Sequence, residues 1–174
     1  MKLLLGILFI SLTVAGFAIA ADVTVKMNFV TADGLGKEIG TITATDTPHG
    51  LLLTPALSEL PPGMHGFHLH ENANCQPAKK DDKMTPAQAA GGHLDPEKTG
   101  KHEGPYASTG HMGDLPPIYV GEDGKAGMLV LAPRLKTANL KGHAFVIHAG
   151  GDNYSDQPQP LGGGGARIAC GVIQ

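Results

Sequence analysis

Three features of the sequence predict an all-β fold with antiparallel strands: many turn residues, short strand-like runs and two Asp-Gly pairs. The chain has 174 residues, with 25 glycines, 13 prolines and no tryptophan. This composition, with short apolar runs between the turns, is typical of β proteins. The pairs Asp33-Gly34 and Asp123-Gly124 favour tight reversals between antiparallel neighbours. The sequence contains no convincing amphipathic helix of three turns and no internal repeat.

Seven runs are predicted to be β-strands, and two long connections separate some of them. The predicted strands are 23–30, 39–45, 50–55, 63–70, 127–131, 143–148 and 166–172. The long connections cover residues 71–117 and 149–165, and such irregular segments in a compact domain are usually functional. Within the first connection, the charges of residues 79–82 cancel, which predicts a solvated loop.

The N-terminus has the three parts of a secretory signal peptide. Lys2 provides the positive start, an apolar stretch follows from Leu3, and Ala18-Ile19-Ala20 resembles a cleavage site. We therefore expect residues 1–20 to be a signal peptide and residues 21–174 to form a single domain. An uncleaved membrane anchor is the alternative, because the apolar stretch is nearly long enough to span a bilayer.

Charge and cysteine content limit the function classes. The net charge is -3 and no basic tract occurs, so the chain lacks the features of a nucleic-acid-binding protein. Cys75 and Cys170 are the only cysteines, and an exported protein is expected to oxidise such a pair. Two free buried thiols, the alternative, would need a reducing compartment.

Seven residues of metal-ligating type are spaced as two adjoining metal sites would require. They are His68, His70, His93, His102, His111, Asp114 and His148. In a strand, His68 and His70 would share one side while Leu69 faces the other. Neighbouring neutral imidazoles suit copper or zinc.

The segment 91–114 is rich in glycine and charged residues, and it carries four of these seven residues. Three imidazoles and a carboxylate complete a tetrahedral zinc shell, and metal binding can stabilise a loop with little apolar surface. A solvated loop with chance histidines is the alternative. His148, at the end of an apolar run, is a candidate ligand from a distant part of the chain.

Six motifs together resemble those of bacterial copper,zinc superoxide dismutases. They are GFHLH, GGHLDP, KHEGPY, GHMGDLP, VIHAGGDNYSD and GGARIACGVI, and the resemblance covers about residues 23–173. It implies an antiparallel Greek-key β-barrel or sandwich, immunoglobulin-like, with two long functional loops. It also implies one copper and one zinc per subunit, with copper held by His68, His70, His93 and His148. The implied zinc ligands are His93, His102, His111 and Asp114.

The resemblance also implies roles for individual residues in superoxide dismutation. His93 would bridge the two metals and deliver a proton, and Arg167 would hold the superoxide anion, for which a planar, permanently charged guanidinium is suited. Asp152 would accept hydrogen bonds from one imidazole of each metal and orient both. A surface salt bridge is the alternative for Arg167, and an ordinary turn residue for Asp152.

One position departs from the family pattern, and three histidines are not among the candidate ligands. Glu103 departs from the family pattern, which commonly has a small residue there, and this could perturb the zinc loop. His49 is predicted to be exposed in a turn. His65 and His143 have the wrong strand parity to join His68 and His148, so we interpret them as structural or solvent-facing.

Three function classes follow from these observations: a dismutase, a metal-binding protein without catalysis, and a zinc hydrolase. The expected Arg167 and shared His93 favour the dismutase, and a four-ligand zinc shell leaves no position for a hydrolytic water. We expect an enzyme of the periplasm that acts on superoxide, protects the cell envelope and has no stable membrane association after cleavage. A homodimer is compatible with the resemblance, although the sequence identifies no interface.

Overall fold

The computed structural model describes residues 21–174, which form eleven β-strands and three short 3-10 turns. The strands are β1 (Val23–Thr31), β2 (Gly34–Thr47), β3 (Gly50–Leu57), β4 (Gly63–His65), β5 (Phe67–His70), β6 (Ala78–Lys80), β7 (Lys83–Thr85), β8 (Ile118–Val120), β9 (Val130–Ala132), β10 (Ala144–His148) and β11 (Arg167–Val172). The 3-10 turns are Gln88–Ala90, Thr137–Asn139 and Leu161–Gly163. The signal peptide predicted for residues 1–20 lies outside the described residues. In the described part of the chain, no helix has the length and hydrophobicity needed to cross a bilayer.

The strands form one large antiparallel sheet and two small ones. The large sheet has the order β5-β10-β11-β1-β2-β3-β9, and β4-β8 and β6-β7 form separate pairs. Neighbours that are distant in sequence, such as β5 with β10 and β11 with β1, show that long connections cross between strands. The predicted all-β antiparallel Greek-key class is confirmed.

Several predicted strand boundaries were wrong. The predicted strand 63–70 is interrupted at Gly66, and β9 begins three residues later than predicted. The short β8 was missed, because three residues after two prolines give little periodic signal.

Residues 79–82 do not form the simple solvated loop that we predicted. Lys79 and Lys80 belong to β6, which pairs with β7 in a tight hairpin. Asp81 and Asp82 form its tip with φ values of 50° and 62°. A two-residue hairpin turn with positive φ at both central positions tolerates aspartate, which explains how a charged run forms strands here.

β5 and β10 each separate the hydrophobic core from the candidate site. Phe67 of β5 and Phe145 of β10 pack in the core with ring centroids 5.3 Å apart. Leu69 and Ile147 lie in the same core, both fully buried. Because side chains alternate along a strand, the intervening histidines of β5 must face the other way.

The two cysteines form the expected disulfide. Cys75 and Cys170 are bonded, with Cα atoms 5.8 Å apart, and both are buried. Their sequence separation is 95 residues. The bond connects the segment after β5 to β11, two parts of the chain that both lead to the candidate site.

Reducing this disulfide is expected to destabilise the folded protein and loosen the segment after β5. Releasing a loop of 95 residues should lower the free energy of unfolding by roughly 4–5 kcal/mol in the chain-entropy model. Urea unfolding of the oxidised and reduced mature chain measures this change, and amide exchange over residues 71–90 measures the loosening. Equal unfolding free energies and equal exchange would show that the bond has no such role.

Candidate metal centre

Four histidines converge in a first cluster at the end of β5 and β10. His68 and His70 come from β5, His148 ends β10, and His93 comes from the long connection. One ligand atom from each lies within 4.8 Å of the others, and all four residues are buried. The alternation predicted for β5 therefore places its two imidazoles on one side.

The long connection reaches this cluster by pairing with the free edge of β5. The backbone N–H of Leu69 donates to the Gly113 carbonyl at 2.9 Å, and its own carbonyl accepts from the Leu94 N–H at 2.8 Å. Gly113 N–H in turn donates to the Leu94 carbonyl at 2.9 Å. These bonds fix His93 and Asp114, the immediate neighbours of Leu94 and Gly113, beside the strand.

A second buried cluster contains His93, His102, His111 and Asp114, so His93 is a member of both. Asp114 Oδ1 lies 2.9, 3.0 and 3.4 Å from the Nδ1 atoms of His93, His102 and His111. Only the His93 contact has hydrogen-bond geometry. Three ring nitrogens around one carboxylate oxygen form the donor set of a tetrahedral cation site.

The hydrogen-bond inventory shows that these residues fit metal ions. Among residues 21–174, six buried side-chain nitrogens have no hydrogen-bond partner: His68 Nδ1, His70 Nε2, His93 Nε2, His102 Nδ1, His111 Nδ1 and His148 Nε2. Each unsatisfied buried polar atom costs about 1–3 kcal/mol. All six belong to the two clusters. A cation in each cluster would remove this cost, and imidazole and carboxylate donors suit copper and zinc.

The opposite ring nitrogens of these histidines, except that of His111, are hydrogen-bonded, which fixes five of the six rings. In the first cluster, His70 Nδ1 lies 3.0 Å from the Gly91 carbonyl and His148 Nδ1 lies 3.2 Å from the Gly165 carbonyl. A neutral imidazole that donates from one nitrogen presents a lone pair on the other, so these bonds direct the lone pairs into the cluster.

Asp152 joins the two clusters through hydrogen bonds. Its Oδ2 accepts from His68 Nε2 at 2.7 Å and its Oδ1 accepts from His102 Nε2 at 2.8 Å. The backbone N–H of Tyr154 donates to the same Oδ1 at 2.8 Å. Asp152 is therefore placed to orient one imidazole of each cluster, and any displacement of its carboxylate would move both rings.

Burial and charge set different protonation preferences in the two clusters when no metal is bound. Burial and neighbouring imidazoles lower the pKa of His68 and His70 well below its usual value, and burial lowers the pKa of His148 to about 4. Burial also lowers the pKa of His102, but the nearby carboxylates of Asp114 and Asp152 outweigh it and raise the pKa to about 9. The first cluster thus presents neutral nitrogens at neutral pH.

Hydrogen bonding keeps both site carboxylates ionised. Burial raises the pKa of Asp114, yet its close contacts with His102, His111 and His93 hold that pKa far below its usual value. Burial likewise raises the pKa of Asp152, and hydrogen bonds from His102 and His68 lower it further than burial raises it. The second cluster therefore offers an ionised carboxylate to a cation.

Arg167 lies beside the first cluster. It is the cross-strand partner of His148 in the β10–β11 pair. Its Nη1 and Nη2 donate to the carbonyls of Ala87 and Gly91, each at 2.6 Å. Gly91 also bonds His70, so one carbonyl links the guanidinium to a cluster histidine. Among residues 21–174, lysines form ion pairs with carboxylates but no arginine does. The salt-bridge interpretation of Arg167 is therefore wrong.

The remaining histidines lie outside both clusters. His65 is buried, and its ring nitrogens lie 2.7 Å from the His148 carbonyl oxygen and 2.8 Å from that of Pro61. It is structural rather than solvent-facing. His143 bonds the carbonyl of the residue that follows β5, and His49 is exposed in a turn as predicted.

Two contacts of the second cluster were not found from the sequence. Asp156 Oδ2 accepts the backbone N–H of His102 at 3.0 Å, and Arg134 donates to carbonyls of residues 104–111. The partners are 23 to 54 residues apart, so no local pattern could have revealed them. The Glu103 departure leaves the cluster in place, since its carboxylate only accepts the Thr109 hydroxyl.

The fold and these two adjoining clusters define a class: an all-β protein with paired histidine-rich metal sites. Comparison with known proteins then identifies the family. The family model described as copper/zinc superoxide dismutase (SODC) matches residues 38–173. The chain belongs to the copper/zinc superoxide dismutase family, with copper and zinc as its cofactors.

Similar proteins agree along most of the chain. It is 56% identical over 166 residues to the superoxide dismutase [Cu-Zn] of Escherichia coli (strain K12), covering 95% of both chains. It is 61% identical over 152 residues to superoxide dismutase [Cu-Zn] 1 of Salmonella typhimurium (strain LT2), covering 87% of this chain and 86% of that one. The Cu/Zn superoxide dismutase structure from Brucella abortus aligns with a TM-score of 0.86 at 52% identity, covering 88% of this chain and all of that one. These matches favour the enzyme over a metal buffer or a zinc hydrolase.

Gly162 offers a direct test of the Asp152 bridge. It has a φ of +72°, and a Cβ there would lie 2.0 Å from Asp152 Oδ1 and 2.8 Å from His102 Nε2. Gly162→Ala should therefore displace the carboxylate. Gly163→Ala is the matched control, because its φ is +78° but the nearest atom is 3.7 Å away.

We expect Gly162→Ala to lower the free energy of unfolding by roughly 1–3 kcal/mol more than the control, the usual cost of overpacking. Urea unfolding of both variants measures the difference. Equal destabilisation would mean that only the backbone conformation matters and that the bridge is not tightly held.

Proposed function

We propose that this enzyme dismutates superoxide in the periplasm and protects the cell envelope, using a copper site and a zinc site that share His93. The proposed copper ligands are His68, His70, His93 and His148, and the proposed zinc ligands are His93, His102, His111 and Asp114. The observation that carries the assignment is the convergence of six unpartnered buried ring nitrogens on two neighbouring points. Two superoxide anions and two protons would give one oxygen and one hydrogen peroxide.

Copper, when bound, supplies the one-electron chemistry, whereas zinc has no redox chemistry and serves structure. The first cluster suits copper because its four donors are all imidazole nitrogens. Burial lowers the pKa of His68, His70 and His148, so these donors are neutral at neutral pH. The second suits zinc because three imidazoles and one carboxylate form a closed tetrahedral set. That set comes from one connection, residues 93–114, so binding there would also order the loop.

His93 is the proposed proton carrier. Its Nδ1 faces Asp114 in the second cluster, while its Nε2 is buried without a partner and belongs to the first. An imidazole that binds two cations has lost both ring protons, so Nε2 can take up a proton whenever it is not a ligand. The step that makes hydrogen peroxide consumes protons, and His93 Nε2 is within the site where they are needed.

Arg167 is the proposed anion-binding residue. Two backbone carbonyls hold its guanidinium, which leaves its remaining N–H donors and its charge available to a small anion. Its cross-strand position next to His148 places it at the first cluster. Superoxide would thus be attracted and held close to the redox-active ion by a group that stays protonated at any physiological pH.

The proposed compartment rests on the N-terminal pattern and the disulfide. Residues 1–20 have the parts of a signal peptide, and a buried disulfide suits an oxidising compartment such as the periplasm. A homodimer stays a proposal that is compatible with the family resemblance. A similar solved structure, at 58% identity with a TM-score of 0.79, is described as the monomeric copper, zinc superoxide dismutase from Salmonella enterica.

His148→Ala should abolish dismutation while zinc is retained, because His148 belongs only to the first cluster. Metal analysis of the purified variant, together with a superoxide-consumption assay, measures both effects. His143→Ala is the control, since His143 lies one residue before β10 and bonds a backbone carbonyl outside the clusters. Full activity in His148→Ala would show that copper is assigned to the wrong residues.

Arg167→Gln should slow turnover roughly 10-fold or more at low ionic strength, because loss of a focused positive charge reduces the rate of anion capture. Copper content should be unchanged, since no proposed ligand is altered. Arg167→Lys keeps the charge but loses the planar fork, so its rate should lie between the other two. An unchanged rate in Arg167→Gln at wild-type copper content would remove Arg167 from the mechanism.

A further inference from the structure

Arg134 contacts the loop that supplies most of the proposed zinc ligands, although it comes from a distant part of the chain. We call residues 102–114 the ligand loop. Arg134 Nε donates to the Pro105 carbonyl at 3.0 Å, and Nη1 donates to the Gly110 carbonyl at 3.2 Å. Nη2 donates to the Gly104 carbonyl at 3.3 Å and also to the carbonyl of His111. One side chain therefore binds four backbone carbonyls at the two ends of the loop's turn.

These contacts differ from an ordinary ion pair. Arginine has five N–H donors in a rigid fork, and four hydrogen bonds to carbonyls use most of them. Within residues 21–174, Arg134 forms no ion pair, so no carboxylate competes with the carbonyls for its guanidinium. The four acceptor residues are buried, and their carbonyls need partners that water does not supply.

The ligand loop has few other attachments. No side chain of the hydrophobic core comes from residues 91–114, and only Leu94 and Met112 pack against that core. A segment without apolar burial cannot offset the entropy of ordering its backbone. Polar contacts and the metal must therefore hold the loop in its ligand-presenting form.

The backbone around Arg134 is held by strand pairing and by the hydrophobic core. It follows β9, whose Ala132 pairs with Leu51 of β3, and the N–H of Leu135 closes a turn onto the Ala132 carbonyl. Leu135 is fully buried in the core. The backbone of Arg134 is thus fixed to the barrel, and its guanidinium holds the loop, including the His111 carbonyl, at a set position relative to the barrel.

We propose that Arg134 is a positioning residue for zinc: it holds the ligand loop so that His102, His111 and Asp114 face one another before the metal arrives. The proposal rests on the zinc assignment made above. Arg134 contacts no proposed ligand atom and acts through the carbonyls of the loop, including that of His111. Preordering lowers the entropy lost on binding, so its consequence is tighter zinc binding.

The test compares zinc affinity in the mature chain and two variants after metal has been removed. Arg134→Met keeps part of the side-chain volume but removes all the donors, and Arg134→Lys keeps the charge but cannot reach four carbonyls. Competition with a chromophoric chelator gives the zinc dissociation constant, and cobalt(II) absorption reports the geometry of the same site. Copper(II) affinity is measured at saturating zinc.

We expect the zinc dissociation constant of Arg134→Met to rise roughly 10- to 100-fold, the usual effect of losing a group that orients metal ligands. Arg134→Lys should lie between that variant and wild type, and copper affinity should change far less than zinc affinity. In the metal-free variants, the amides of Gly104 and His111, which are hydrogen-bonded within this region, should exchange faster with solvent.

Lys136→Met is the matched control. Lys136 lies two residues further along the same segment, and its ammonium donates to the Thr47 carbonyl of β2, away from the ligand loop. Its zinc affinity should equal that of the wild type. If Arg134→Met does not fold, Arg134→Lys decides the question.

Wild-type zinc affinity in a folded Arg134 variant would overturn the proposal. Zinc and copper affinities that fall by the same factor would also overturn it, because they would indicate a general structural role. If the wild-type chain itself bound no zinc at this cluster, or if Asp114→Asn left zinc affinity unchanged, the zinc assignment would fail instead. The two failures are therefore distinguishable.

Discussion

The convergence of imidazole lone pairs in a buried space is the constraint on which the rest of the structure depends. Six ring nitrogens without partners lie in two adjoining clusters. Each would be costly to bury alone, and packing cannot relieve that cost. Cations can, so metal binding is expected to stabilise the site. The barrel, the disulfide and the loop contacts can be understood as means of holding these nitrogens in place despite that cost.

Both the β-strands and polar contacts between distant parts of the chain hold these nitrogens in place. Phe67 and Leu69 of β5 and Ile147 of β10 lie in the core, so their packing fixes the neighbouring histidines of the site. Residues 91–114 of the connection contribute no side chain to the core, and this segment depends on pairing with β5, on Asp152 and on Arg134. Copper chemistry would thus be supported by the barrel, whereas the proposed zinc cluster is supported mainly by hydrogen bonds to backbone carbonyls and carboxylates.

The sequence predicted the fold class, the strand alternation at His68 and His70, the disulfide and the residues that gather in the two clusters. These have local signals: period-two patterning, Asp-Gly turns, and distinctive residue types in recognisable motifs. It did not predict the β6-β7 hairpin, because two consecutive aspartates in the left-handed region are not a typical turn signature. Nor did it predict the contacts of Arg134 or the burial of His65. Those depend on backbone carbonyls, most of them far away in sequence, and a carbonyl has no residue type by which a pattern could identify it.

Anomalous scattering from crystals of the metal-loaded enzyme tests the central claim most directly. Data collected on both sides of the copper and zinc absorption edges locate each element separately. The account predicts a copper peak bounded by His68, His70 and His148, a zinc peak bounded by His102, His111 and Asp114, and the His93 ring between them. Both elements at one position, or peaks with no imidazole between them, would contradict it.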